Sequence, residues 1–404
     1  MEPVKKMELE HFVPLTKAEL VRELESELTE DLRPRFRQFA NLLSSTIHND
    51  FHAKLEELKG SYRPFDPDPD VPLRNPVKNP DDSQFMKRLD YLLEKANFKK
   101  VGVKELERAL TTQSLYSGSV YVDLSELSKW RIYSRGRLRR VHTIKKWKNL
   151  KRPKKLEVES YERLVLAIRF TPNFVAYSEE RRNALDSDHI YLKYFRNVPI
   201  NDLEMVFPNT KYRMSLMDKL KVAVPTLGAA ALAAGRILPV IFAVAGGLAG
   251  ASIGSLELAA LGGALGALIG IAFRAFVHYK NARITYMQAL TEGLYFKNLD
   301  SNAGVFHRLL DAAEEEEVKE ALLAYYFLRP TPLSSSELDG AVEYWFEKRH
   351  MHFDFEVSDG LAKLSRLGLA REENGKWIVM GLKDAIIHLD EKWDALFDPT
   401  TDLK

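Results

Sequence analysis

The N-terminal part of the chain carries apolar residues at the spacing of amphipathic helices. Leu20, Leu24 and Leu28 are four residues apart and therefore share one helix face. Thr16 and Glu19 have the spacing of a capping box, which predicts that a helix begins just after Thr16. A second run keeps the same period and extends the N-terminal helices through residue 59: Phe36, Phe39, Leu43, Ile47, Phe51 and Leu55.

The pattern changes twice between residues 60 and 210. The stretch 60–82 includes YRPFDPDPD, whose prolines cannot continue a helix, so we interpret it as a linker or an ordered extended arm. Residues 83–210 combine short helical patterns with runs of β-branched and aromatic residues, which predict a small mixed sheet domain with helices packed on it. The predicted strands are Val120 to Leu124, Trp130 to Tyr133, Arg163 to Phe170, and His189 to Phe195.

The segment 222–273 is almost free of charge, because Arg236 and Glu257 are its only ionisable residues. One membrane span needs about 20 apolar residues, so this segment is long enough for two. The sequence therefore predicts an α+β membrane protein with a two-helix transmembrane hairpin, within residues 211–284. A helical hairpin buried in a water-soluble core is the alternative.

Gly246-Gly247 predicts the turn of this hairpin, with spans at about 222–245 and 248–273. Arg236 and Glu257 then lie at the same depth, which predicts an ion pair, or else an arginine that reaches the headgroups alone. Glycines at four-residue spacing predict close packing of the two arms, with or without self-association: Gly246, Gly250, Gly254, Gly262, Gly266 and Gly270.

Charge sets the expected topology. Basic residues flank both ends of the predicted hairpin and are absent from its turn, so the positive-inside rule predicts that both termini are cytoplasmic. Met1 to Phe12 resembles neither a signal peptide nor a transit segment, so we expect a bacterial inner membrane rather than a mitochondrial membrane. The net charge of +2 is too small to indicate a particular kind of partner. The absence of cysteine excludes disulfides and thiol catalysis.

A basic segment at 128–155 contains Trp130, Tyr133 and Trp147 but no acidic residue. Such a segment is attracted to anionic lipid headgroups, which makes the bilayer the expected partner. A solvated basic loop and a contact with nucleic-acid backbone are the alternatives. The residues expected at the lipid surface are Lys129, Arg131, Arg135, Arg137, Arg139, Arg140, Lys145, Lys146 and Lys148.

A helical segment at 285–330 precedes a winged-helix-like domain at 331–404. Its predicted helices are Leu338 to Lys348 and Ser358 to Leu367, and Gly375 predicts the turn of a two-strand wing. Residues 337–398 contain 14 acidic and 8 basic residues, so a DNA contact is unfavourable and a protein partner is expected.

Two sets of side chains are weak candidates for chemistry. His350, His352 and Asp354 alternate as in a strand and could form a metal site, but a strand edge is the favoured interpretation because nothing else in the sequence completes the ligand set. The second set is His307, Asp311, Glu314 and Glu317, which could mimic a carboxylate metal site, but a solvated acidic helix face is favoured because no second helix supplies matching ligands. No phosphate-binding glycine loop or hydrolase motif is present, so we expect neither a metal nor a cofactor.

Four stretches of the chain carry a resemblance to a known family: Tyr62 to Asp70, Tyr191 to Leu220, Asn302 to Leu328, and Leu338 to Phe397. They resemble an uncharacterised membrane-protein family with a domain of unknown function, the family that includes transmembrane protein 143. The resemblance implies two membrane spans and, for animal members, a mitochondrial location. It implies no reaction.

These observations favour a membrane-anchored, non-enzymatic scaffold or adaptor that contacts a protein partner through its C-terminal domain. One alternative is a homo-oligomer, formed through the glycine rows, that acts as a channel or remodels membranes. The other alternative is an enzyme of unrecognised type. A nucleic-acid partner is not expected.

Overall fold

Helices and long antiparallel strands make up the described part of the chain. The computed structural model describes single positions between 266 and 284 together with residues 5–6, 11–75, 80–111, 119–144, 154–174, 185–213 and 296–397. Contacts divide the chain into two compact units. The first contains residues 1–103, 125–200 and 298–404, and the second contains 104–124 and 201–297.

Two N-terminal helices form as their apolar period predicts. Helix α1 spans Lys17–Ser26, and the Thr16 hydroxyl and the Glu19 carboxylate form the predicted capping box at its start. Helix α2 spans Arg33–Tyr62, with a proline in its first turn, and the apolar residues predicted for its inner face are buried. A proline in the first turn is tolerated because the N–H groups there have no partner within the helix.

The proline- and aspartate-rich stretch after α2 packs on the sheet. A short 3₁₀ turn at Arg63–Phe65 continues from α2, and the side chain of Phe65 is buried. The Tyr62 hydroxyl donates a hydrogen bond to the carbonyl of Ile190 at 2.7 Å, and the Ile190 N–H donates to the Phe65 carbonyl at 2.9 Å. These contacts hold the start of the stretch against Ile190, and the choice between a linker and an extended arm stays a prediction.

The sheet of the first unit has six antiparallel strands. Its order is β1-β4-β5-β6-β8, and β2 also pairs with β4. Residues 298–301, expected within a helical segment, form strand β8 instead. The strands are β1 Lys5–Lys6, β2 Lys99–Lys100, β4 Leu127–Ile144, β5 Lys154–Phe170, β6 Tyr191–Pro199 and β8 Asn298–Ser301.

One long helix runs through the core of this unit. It is α5, Gly304–Leu328, and it contacts α2, the helix α3 at Ser83–Lys95, and the C-terminal helices. Aromatic rings contribute to these contacts. The Phe39 and Tyr325 rings stack with centroids 4.1 Å apart. The Tyr62 ring meets the Phe306 ring edge-on at 5.0 Å.

The C-terminal elements include the two predicted helices and the predicted two-strand hairpin, whereas the winged-helix class stays a prediction. Helices α6 and α7 are close to the predicted bounds, and the two-strand hairpin β9–β10 turns at Gly375, which has a φ of +75°. An isolated antiparallel bridge also pairs Leu333 with Trp377 of this hairpin. The bounds are α6 Ser335–Glu347, α7 Val357–Leu367, β9 Ala370–Glu373, β10 Lys376–Val379 and α8 Leu382–Asp394.

The second unit is described over fewer residues. It contains most of helix α4, Val103–Thr111, and a two-stranded sheet in which β3, Ser119–Tyr121, pairs with β7, Lys211–Arg213. A 3₁₀ segment at Ile200–Val206 leads into this sheet, and all but the first of its residues fall in the second unit.

The prediction of a transmembrane protein is contradicted. Among the helices of the described residues, none is long and apolar enough to cross a membrane. The longest of them, α2 and α5, carry charged residues along their length, which is unfavourable in the hydrocarbon layer of a bilayer. The mixed helix and sheet composition is confirmed. The transmembrane hairpin and the integral-membrane location, with both termini cytoplasmic, are overturned by this finding.

Most of the predicted hairpin lies outside the described residues. This holds for Arg236, Glu257 and the glycines from Gly246 to Gly262. Gly266 and Gly270 have helical backbone, and a Cβ at either position would meet nothing within 4 Å. The glycine zipper is contradicted together with the spans that it was expected to join.

Two helix glycines provide a test of the packing around α5. A Cβ at Gly360 of α7 would lie 2.7 Å from the Glu320 carbonyl oxygen, whereas one at Gly340 of α6 meets nothing within 4 Å. We expect Gly360→Ala to lower the free energy of unfolding by about 1–3 kcal/mol, because the two helix backbones must separate. The matched Gly340→Ala should raise it by about 0.5–1 kcal/mol through helix propensity. Urea unfolding of both variants measures the difference, and equal effects would refute the close α5–α7 contact.

Candidate functional site

The acidic run Glu314–Glu317 of α5 lies partly inside the protein. Sequence analysis favours a solvated face, but Glu316, Glu317 and Glu320 are 5%, 3% and 2% exposed. Successive residues of a helix point about 100° apart, so four consecutive carboxylates face four directions. Each one meets a different neighbour, and the solvated-face interpretation is wrong for the buried members.

Two carboxylates of the run hold the N-terminal segment. The Glu316 carboxylate accepts a hydrogen bond from the Val13 N–H at 3.0 Å, and the Glu315 carboxylate accepts one from the Lys17 N–H at 2.9 Å. The buried Lys319 ammonium donates to the Val13 carbonyl at 3.1 Å and to Glu316 at 2.8 Å. These contacts fix the chain just before α1 against the middle of α5.

The other two carboxylates reach α2 and α7. Glu314 contacts the ring of His48 at 2.8 Å, and Glu317 pairs with the buried ammonium of Lys363. That ammonium is also 3.5 Å from the Asp50 carboxylate. Lys363 therefore joins α7 to both α2 and α5 through opposite charges.

Glu320 lies one turn further along α5, where burial raises the pKa of its carboxyl well above the usual value. The negative charges of Glu316 and Asp359 act in the same direction. Asp359 itself pairs with Lys95 at 2.7 Å. The charged band of α5, residues 314–320, thus connects α1, α2 and α7 within one core.

The predicted catalytic candidates do not converge. Glu314 and Glu317 bind different partners, so they do not form one site with His307 and Asp311. Asp354 lies 3.4 Å from His11, a neighbour that sequence spacing gives no sign of, and residues 351–356 form no strand. Over the described ranges, no group of three His, Asp or Glu side chains is arranged to hold a metal ion.

The basic segment lies largely on strand β4. Lys129 pairs with the buried Asp82 at 2.5 Å, and Arg131 pairs with Asp90. Arg135 lies over the Phe98 ring at 5.2 Å. Other members on β4 are Arg137, over the Tyr161 ring at 5.7 Å, Arg139, 3.0 Å from Glu159, and Arg140. Lys145, Lys146 and Lys148 lie outside the described residues, and headgroup contact stays a prediction.

Helix α7 has the position of a recognition helix in the winged-helix order. Its outer positions are Ser358, Ala362, Ser365 and Arg366, of which one is basic. The Arg366 guanidinium is 3.8 Å from the Asp50 carboxylate, so an intramolecular acid already balances its charge. A DNA-reading helix needs several cations facing the phosphates, and α7 does not present them.

Helix α8 presents a different kind of surface. Its inner face, formed by Leu382, Ala385 and Leu389, is buried, and the helix packs on α2. On its outer side Ile387 is 45% exposed, among the exposed carboxylates of Asp384, Asp390, Glu391 and Asp394 and next to the exposed Lys383. Trp393 is also exposed, but at 100° per residue it lies about 120° around the helix from Ile387. We name Ile387 and the four carboxylates the α8 surface.

A comparison with known families finds a match to a family whose function is unknown. Residues 161–304 contain a domain that matches the family described as "Protein of unknown function (DUF3754)". This match covers the C-terminal part of β5 together with β6, β7 and β8, and it agrees with the expected domain of unknown function. Nothing links the chain to transmembrane protein 143 in particular. No solved structure matches the chain.

One buried acid inside the matched residues has an unusual proton affinity. Glu204 lies in the 3₁₀ segment at Ile200–Val206 and is 3% exposed. Burial raises the pKa of its carboxyl to about 7, and the nearby charge of Asp202 adds to the rise. The unfolded carboxyl titrates near pH 4.5, so the folded state holds this proton more tightly.

The pair between Glu317 and Lys363 predicts a strong single-mutant effect. Lys363→Met leaves the buried Glu317 carboxylate without its closest cation, so we expect a loss of about 3–5 kcal/mol in the free energy of unfolding. Adding Glu317→Leu should restore most of it, because both charges are then gone. Arg371→Met, at an exposed pair with Glu373, is the control and should cost less than about 1 kcal/mol. Equal losses in the single and double variants would contradict the pairing.

The raised pKa of Glu204 predicts a stability difference that depends on pH. Below pH 4 the stability difference between the wild type and Glu204→Gln should be small and constant, because the carboxyl is neutral in both folded and unfolded states, as the amide is. As the pH rises from about 4.5 through about 7, the wild type loses this stabilisation while the variant does not. Above pH 8 the variant should be more stable by on the order of 3 kcal/mol, since a tenfold change in proton affinity is worth about 1.4 kcal/mol. Urea midpoints at pH 4 and 8.5 test this, with the exposed Glu391→Gln as control, and a pH-independent difference would refute it.

Proposed function

We propose that the chain is a non-enzymatic adaptor that binds a positively charged protein segment through the α8 surface. The observation that carries this proposal is the exposed Ile387 within a set of exposed carboxylates on a helix that is fixed to the core. Partner contacts of this kind join an apolar anchor to complementary charge at the rim.

Charge supports a basic partner. Residues 337–398 contain 14 acidic and 8 basic residues, so the C-terminal region has a negative field that attracts cations. The four carboxylates of the α8 surface are exposed and therefore available to lysine or arginine side chains. An acidic partner, including nucleic acid, would be repelled by the same field.

The packing of α8 supports a preformed site. Leu382, Ala385 and Leu389 hold its inner face in the core, so binding does not have to order the helix. A rigid surface loses less conformational entropy on association than a mobile segment. Exposed Ile387 then supplies the apolar contact that charge alone does not give.

Photo-crosslinking in cells of the source organism tests the proposal. A benzophenone amino acid at position 387 should give discrete protein adducts whose partners carry a basic contact segment. The same probe at Val71, which is 63% exposed on another part of the surface, is the matched control and should not give those adducts.

Charge reversal separates a specific partner from chance contact. The triple variant Asp390→Lys, Glu391→Lys and Asp394→Lys should lose at least about ten-fold in adduct yield at position 387, because the attraction becomes repulsion. Unchanged adducts in this variant, or identical adducts from position 71, would show that the α8 surface is not the binding site.

A further inference from the structure

A cleft between α2, α3 and α5 has the chemistry of a binding site for a small ligand. Its volume is about 270 Å³, near the lower end of ligand pockets in proteins. Leu58, Leu92 and Leu310 are buried and form its apolar floor. The remaining lining residues are Lys54, Glu57, Lys87, Arg88 and Tyr91.

The positive charge of the lining exceeds its negative charge. Three cations face one carboxylate, Glu57, and that carboxylate is already 3.2 Å from the Arg88 guanidinium. Arg88 also donates to the Glu57 backbone carbonyl at 3.3 Å, so these two residues form a closed pair. Lys54 and Lys87 therefore dominate the field at the cleft.

Lys54 is held in place by uncharged groups. Its ammonium donates a hydrogen bond to the Tyr91 hydroxyl at 2.8 Å and lies 4.8 Å from the centroids of the Phe51 and Tyr91 rings. These contacts fix the half-buried ammonium beside the apolar floor without neutralising its charge. A fixed cation next to an apolar pocket is complementary to an anion with an apolar body.

We propose that this cleft binds a small amphiphilic monocarboxylate. Its carboxylate would pair with Lys54 and Lys87, and its aliphatic or aryl body would cover Leu58, Leu92 and Leu310. An amphiphilic amine would be repelled by the same cations, and a neutral molecule of equal size would leave them unpaired. This site is separate from the α8 surface and does not depend on the proposed adaptor function.

Calorimetric titration of the full chain with octanoate is the direct test. We expect saturable binding of one octanoate, and affinity that rises from butyrate to octanoate as more of the floor is covered. Acetate has the same headgroup without the chain, and 1-octanol has a similar chain without the charge. Both should bind at least ten-fold more weakly than octanoate.

Variants at Lys54 separate this site from general surface binding. Lys54→Met keeps an unbranched side chain, one atom shorter, but removes the charge, and it should weaken octanoate binding at least ten-fold. Lys54→Arg should restore most of the affinity, and Lys383→Met, on the exposed side of α8, should have no effect. The melting temperature of each unliganded variant establishes that it is folded.

Several results would overturn the proposal. They are no saturable octanoate binding by the folded wild type, octanol binding as tightly as octanoate, and equal octanoate affinity in Lys54→Met and wild type. Loss of binding in Lys54→Met that Lys54→Arg does not recover would also contradict it, because the role assigned to Lys54 is its positive charge.

Discussion

The charged band of α5 is the constraint on which the first unit depends. A carboxylate or ammonium taken out of water is strongly destabilising unless it is paired and hydrogen-bonded. Residues 314–320 place several such groups in or beside the core, with Glu316, Glu317, Lys319 and Glu320 buried. The chain around α5 must therefore bring partners to fixed positions, and this requirement selects one arrangement of the surrounding helices.

The partners come from distant parts of the sequence. Val13 and the Glu316 carboxylate it meets are 303 residues apart, and Lys363 approaches from the C-terminal side. The C-terminal winged-helix-like elements consequently share a core with the N-terminal helices rather than standing apart from them. Helix α8, packed on α2, owes its fixed position to the same core, which explains how an acidic surface can be presented without being flexible.

Local patterns were sufficient for the terminal helices but not for the sheet, the buried charges or the sites. The capping box at Thr16 and the apolar period of α2 are local signals, and the structure follows them. Strands β4 and β5 are longer than the sequence pattern predicts. Arginines at alternate positions interrupt the apolar pattern there, and their acidic partners, such as Asp90, are remote in sequence. A run of four glutamates has the same sequence pattern whether its side chains are exposed to solvent or buried in a core. The acidity of the C-terminal region can be predicted from the sequence. The exposure of Ile387 and the cleft beside Lys54 cannot, because both depend on tertiary packing. The near absence of charge at 222–273 predicts a membrane hairpin, but no helix of the described residues is long and apolar enough to cross a membrane.

Hydrogen exchange at two backbone amides tests the charged band most directly. Val13 lies outside regular secondary structure, and Lys17 begins α1, where N–H groups have no partner within the helix. Their described acceptors are the carboxylates of Glu316 and Glu315. The account predicts that both amides exchange at least about 100-fold more slowly than in an unstructured peptide, and that protection at Val13 falls in Glu316→Ala. Exchange of both amides at unstructured rates in the wild type would contradict it.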